Sequence, residues 1–170
     1  MKKTALHLAL ALVLAALQAS LLRFVGGGAF SVALLVPVVV YLGFHAPTVE
    51  GAVGAALAGW VLDVMAGGPA GLLTFLCMVL FLGSRMAGAS LDIHGKGGFA
   101  AASGVGTFCV GVGALLLTRY VSPAESAPGA RVLLRVLVES VVTVPASLLV
   151  LAAMRWIDAL FEREEPGLLR

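Results

Sequence analysis

Charge is nearly absent from long stretches of this chain, and that absence limits the fold more than any motif does. No residue between Lys3 and Arg23 is charged, and between Phe24 and Ser84 the only formal charges are Glu50 and Asp63. Apolar runs of this length match the roughly 20 helical residues needed to cross a hydrocarbon layer about 30 Å thick. With 61% hydrophobic and 12% charged residues among 170, and a mean hydropathy of +1.08, the chain reads as an all-α, polytopic integral membrane protein.

Breaks rich in glycine and proline divide it into six predicted spans, at about 4–22, 29–44, 48–66, 69–87, 98–119 and 131–157, forming one transmembrane domain over 1–170. The segment from Ser84 to Gly98 carries Arg85, Asp92, His94 and Lys96 among glycines, and is polar enough to leave the membrane as a loop. Residues 158–170, with Glu162-Arg163-Glu164-Glu165-Pro166, read as a solvated polar tail. Pro145 is expected to kink the sixth span. Six crossings put both termini on one side. Lys2, Lys3, Arg85, Lys96, Arg155, Arg163 and Arg170 then share that side against Arg23, Arg119, Arg131 and Arg135, so the positive-inside rule places both termini in the cytoplasm. The opening Met1-Lys2-Lys3 and the apolar stretch up to Gln18-Ala19-Ser20 also resemble a secretory signal peptide, but Leu17 stands where a small residue is preferred and the apolar run continues beyond it.

Several function classes fall away on the same residues. A net charge of +2 without a basic face argues against nucleic acid as a partner. Cys77 and Cys109 sit inside apolar runs as small hydrophobes, and His7, His45 and His94 stand apart without ligand-spaced partners, so no disulfide framework and no metal site is expected. Gly26-Gly27-Gly28 lacks the Lys-Ser/Thr that follows in a phosphate cradle and reads as a turn. No positioned nucleophile and base are visible, so no catalytic residue and no cofactor is expected.

The most informative stretch is the third span and the turn after it. Gly51, Ala55, Gly59 and Asp63 recur every four residues and form a stripe almost without side-chain bulk, suited either to packing within the chain or to a partner's transmembrane helix. The spacing continues through Gly67 and Gly71, where Gly67-Gly68-Pro69-Ala70 must reverse the chain. Asp63 is the one carboxylate between Glu50 and Asp92. Charges within membrane helices are functional candidates by default, but Asp63 lies only about 4–5 Å from the end of its span. Two roles follow for it. In one it faces the positive N-terminus of the next helix across the turn; in the other it joins Arg135 and Glu139 of the sixth span in an outer-leaflet polar cluster. Arg135 and Glu139 snorkelling to the interface is the plainer alternative. Gly104 and Gly111, two turns apart on the fifth span, predict close packing there.

Taken in order, these features resemble the MreD family of rod shape-determining membrane proteins. The likeness rests on the lysine-led N-terminus, a second span reading Leu34-Leu35-Val36-Pro37-Val38-Val39-Val40-Tyr41, and a Gly-rich third span. Its most specific part is Gly59-Trp60-Val61-Leu62-Asp63-Val64-Met65-Ala66-Gly67-Gly68-Pro69-Ala70-Gly71-Leu72, a Gly-x3-Asp-x3-Gly-x3-Gly-Leu pattern. A proline in the last span followed by Arg155 and a short charged tail also agrees. The resemblance implies a non-enzymatic scaffold of the bacterial inner membrane, bound directly to the bitopic protein MreC. Through it the chain would be linked to MreB, RodA and a class B penicillin-binding protein in the machinery that builds lateral peptidoglycan and sets rod shape. It further implies a fold similar to the substrate-binding subunits of energy-coupling-factor vitamin transporters. The rival function is therefore a small-solute-binding subunit of a transporter, with Asp63, Arg135, Glu139, Tyr41 and Trp60 as its polar groups.

Overall fold

A computed structural model describes residue 13 and residues 33–66, 70–90, 95–121 and 130–162. The described chain is helical: α1 (Leu35–His45), α2 (Thr48–Ala66), α3 (Leu72–Ser90), α4 (Lys96–Val121) and α5 (Ala130–Glu162). These correspond to the second through sixth predicted spans, and the first, at 4–22, lies outside the described residues except for Val13. Four of the helices, α2 to α5, are long and apolar enough to cross a membrane, whereas α1 is shorter.

Three boundaries differ from the sequence reading for identifiable reasons. The second span was expected from about residue 29, yet Ala33 and Leu34 are not helical and α1 starts at Leu35. Pro37 explains the late start, because a proline is tolerated in the first turn, where no intrahelical N–H bond is required. The helix expected at 69–87 runs instead over Leu72–Ser90, since Gly71 adopts φ +89° and cannot belong to it. Asp158, expected to begin a solvated tail, lies within α5, which continues unbroken through Pro145 to Glu162.

Packing pairs give the direction of each helix. Gly59 lies against Thr74 and Gly51 against Phe81, so α2 and α3 form an antiparallel hairpin. Gly104 meets Val144 and Gly111 meets Val136, which makes α4 and α5 antiparallel as well. The contacts Gly43 to Ser84 and Gly88 to Phe44 set α1 parallel to α3. Helices α1, α3 and α5 thus run one way and α2 and α4 the other, as a chain crossing at each helix must. We call the end where α1, α3 and α5 finish and α4 begins the lower end.

Helix α1 is the hub. Every residue from Leu35 to Gly43 is buried, and α1 touches all four other helices, whereas α2 and α5 do not touch each other among the described residues. Helix α4 serves two neighbours through two glycine pairs seven residues apart. Gly104 and Gly111 face α5, while Gly106 and Gly113 face Leu80 and Leu76 of α3, with Val36 and Val40 of α1 also beside Gly106.

The surface is the reverse of a soluble protein's. Val53, Leu57, Trp60 and Val64 project from α2, and Phe75, Val79, Leu82 and Met86 from α3, all exposed, while buried positions include Ser84, Ser103, Thr107, Ser140, Thr143 and Ser147. Such continuous apolar faces fit hydrocarbon rather than water. Glycine positions should accordingly differ sharply in tolerance. A Cβ at Gly111 would come within 2.6 Å of Val136 Cγ1, whereas one at Gly83 meets nothing within 4 Å. Thermal melting in detergent should therefore show Gly111→Leu destabilised by about 1–3 kcal/mol through overpacking, and Gly83→Ala unchanged or slightly more stable because alanine favours helix.

Candidate functional site

Two groups of polar side chains stand out, one at each end of the hairpins. At the upper end, Asp63 is 9% exposed in the last turn of α2 and its carboxylate is fully committed to the start of α3. Gly71 N–H donates to Oδ2 at 3.1 Å, Leu73 N–H to Oδ1 at 2.8 Å and Thr74 N–H to Oδ2 at 3.0 Å. The Thr74 hydroxyl adds a fourth bond to Oδ2 at 2.6 Å. These amides belong to the turn and first turn of a helix, which have no acceptor inside the helix, and the positive end of α3 favours a carboxylate there. Asp63 therefore acts as the N-terminal cap of α3, supplied from the preceding helix rather than from the usual capping position. Gly71 at φ +89° brings its N–H to the carboxylate, and residues 67–69 of the predicted turn lie outside the described residues.

This arrangement selects between the two roles open to Asp63 from sequence. Asp63 does not join Arg135 and Glu139 among the described residues. Arg135 is exposed on α5 and Glu139 is half-buried, on a helix that makes no described contact with α2. The reason is geometric, since α2 and α5 do not touch and the donors that reach Asp63 are the Thr74 hydroxyl and the amides of its own hairpin.

The small-residue stripe leads inward from the same knot. An added Cβ at Gly59 would fall 2.5 Å from Thr74 Cα and one at Gly51 would fall 2.6 Å from the Phe81 ring, while Ala55 is fully buried. Of the two uses open to the stripe, the structure shows packing within the chain. Trp60, by contrast, is 60% exposed and points away from it.

The lower end carries a group that sequence reasoning missed. Buried Tyr41 on α1 donates its hydroxyl to Asp158 Oδ2 on α5. The Tyr41 ring stacks on His45 at 4.4 Å between centroids, with Phe99 edge-on at 6.3 Å. Beside it, Arg85 Nη1 donates to the Ala46 carbonyl at 2.9 Å, neutralising the negative end of α1. In the sequence Arg85 falls in the polar loop segment and Asp158 at the start of the charged tail. Local sequence gives no sign of either bond, because the partners are 39 and 117 positions apart.

Both groups join helices, Asp63 tying α2 to α3 and the Tyr41–Asp158 bond tying α1 to α5. The buried hydroxyls bond locally instead: Ser84, Thr107, Ser140, Thr143 and Ser147 donate to carbonyls one turn back on their own helices. Thr143 also accepts from Ala33 N–H at 3.4 Å. Ser103 is the one buried hydroxyl without a partner among the described residues. No group of three or more His, Cys, Asp or Glu side chains among them is placed to hold a metal.

Two outcomes follow. Asp63→Ala should lower the stability of the purified chain by about 2 kcal/mol, because three amides at the start of α3 lose their shared anionic acceptor together, and Thr74→Val should cost less; chemical or thermal unfolding in detergent checks both. A double-mutant cycle on Tyr41→Phe and Asp158→Asn should give a coupling of about 1 kcal/mol.

Compared with family models, curated proteins and solved structures, the chain matches none.

Proposed function

We propose that the chain is a six-span, non-enzymatic scaffold of the bacterial inner membrane, with both termini in the cytoplasm, that binds MreC and helps organise lateral peptidoglycan synthesis and rod shape. The observation that carries this reading is the Gly59-x3-Asp63-x3-Gly67-x3-Gly71-Leu72 pattern of the MreD resemblance. In this chain that pattern has a physical task, since Asp63 and Gly71 bond to each other and Gly59 sits against Thr74. The disposition of the polar groups supports a scaffold too. Asp63, Arg85 and the buried hydroxyls other than Ser103 bond to the protein's own backbone, while large apolar side chains face outward on α2 and α3 where a partner helix in lipid would meet them. On this reading association rests on helix packing within the membrane, not on a bound small molecule.

The test is affinity capture of the tagged full-length chain from solubilised native membranes, combined with depletion in the native cell. The expected result is co-recovery of MreC, and loss of rod shape on depletion without any defect in solute uptake. Recovery of an ATP-driven transporter module instead, with a vitamin-like small molecule that raises the melting temperature of the purified chain, would overturn the scaffold in favour of a transport subunit.

A further inference from the structure

Helices α3 and α4 touch near the upper end, where Leu76 packs on Gly113 and Leu80 on Gly106, and separate below. The separation leaves a cleft of about 540 Å³. Val79, Gly83 and Ala87 form one wall, Gly98, Ala101 and Val105 the other, and Val40 and Phe44 of α1 form the floor. Its lining is almost wholly apolar. The small side chains on both walls, together with the open space beside Gly83, keep it unfilled.

Its depth and its mouth identify the occupant. From Gly98 at the mouth to Cys109 at the far end, the wall on α4 extends about 16 Å at 1.5 Å per residue, close to half of a hydrocarbon layer about 30 Å thick. A partner helix would cross both leaflets, but this cleft closes where Leu76 meets Gly113. One acyl chain of one leaflet fits that depth. The mouth lies at the N-terminus of α4, where Lys96 is exposed, the first turn holds no acidic residue, and Gly95 and Gly97 have nothing within 4 Å of where a side chain would begin. Gly98 belongs both to that first turn and to the cleft wall, so an anionic head and an apolar tail would be held side by side.

We propose that the cleft between α3 and α4 binds an anionic phospholipid, with one acyl chain between Gly83 and Ala101 and its phosphate at the N-terminus of α4 beside Lys96. The proposal rests on the membrane-spanning reading of the helices and is independent of whether MreC is the partner.

The full-length chain, purified in mild detergent, is titrated with phosphatidylglycerol or with phosphatidylcholine of the same acyl chains, and bound lipid is counted by native mass spectrometry. Wild type should retain phosphatidylglycerol about five-fold more strongly, the effect of one cation near an anionic head. Lys96→Glu should abolish that preference. Gly83→Leu, at a position where an added Cβ meets nothing within 4 Å, should fill the cleft and lower retention of both lipids at an unchanged melting temperature, and Ala101→Leu on the opposite wall should do the same. Equal retention of the two lipids by wild type would overturn the proposal, as would a preference that survives Lys96→Glu. So would lipid retention unaffected by both cleft-filling variants, or cross-linking of a polypeptide rather than lipid through Cys109 in native membranes.

Discussion

The structure depends first on one carboxylate. A charged group in a span of hydrocarbon is tolerated only if its oxygens are satisfied by the protein, and Asp63 meets that condition with three amides and a hydroxyl from the start of α3. The same bonds satisfy amides that no acceptor within α3 can reach. This exchange fixes how α3 leaves the turn, and the rest of the hairpin's register follows. Gly59 comes to lie on Thr74, Gly51 lies on Phe81, and the far end of α3 delivers Ser84 to Gly43 and Arg85 to the Ala46 carbonyl. A constraint at the upper end thereby determines which side chains reach the hub helix at the lower end.

Around that hub apolar side chains lie on both sides of the packing. Val38, Val39, Phe81 and Met154 fill the interior, glycine, alanine and hydroxyl groups let the helices approach closely at the interfaces, and further bulky apolar side chains cover the outside. In lipid this is favourable because burying an apolar side chain inside the protein gains little over leaving it among acyl chains, so van der Waals contact decides the packing. The arrangement also bears on function. Among the described residues Asp63 and Arg85 are turned onto the protein's own backbone, and large apolar side chains face outward from α2 and α3.

What was legible in the sequence was local or periodic. The position of α2, at Thr48–Ala66, follows from an apolar run interrupted only by Glu50 and Asp63 between His45-Ala46-Pro47 and the glycines after Ala66. The four-residue stripe and the glycine turn are likewise periodic signals, and Asp63 facing the next helix follows from its distance to that turn. The false lead to Arg135 arose because depth in the membrane was the only available measure of proximity. Two charges at one depth meet only if their helices are neighbours, and sequence does not give the order of helices around α1. The same ignorance hid Tyr41 with Asp158 and Arg85 with Ala46, whose helices meet only through the tertiary fold. Both charged residues looked like solvent-facing ends, whereas each has a backbone or side-chain partner on α1 or just beyond it.

The central claim is that Asp63 holds the turn and, through α3, the lower end of the hub. Hydrogen–deuterium exchange on the full-length chain in lipid nanodiscs, comparing wild type with Asp63→Ala, tests it most directly. The account predicts slow exchange across residues 71–74 in wild type. That protection should be lost in the variant, with faster exchange also appearing at 43–46 and 81–88. If residues 71–74 exchange equally in both proteins, Asp63 does not hold the start of α3 and the account is wrong.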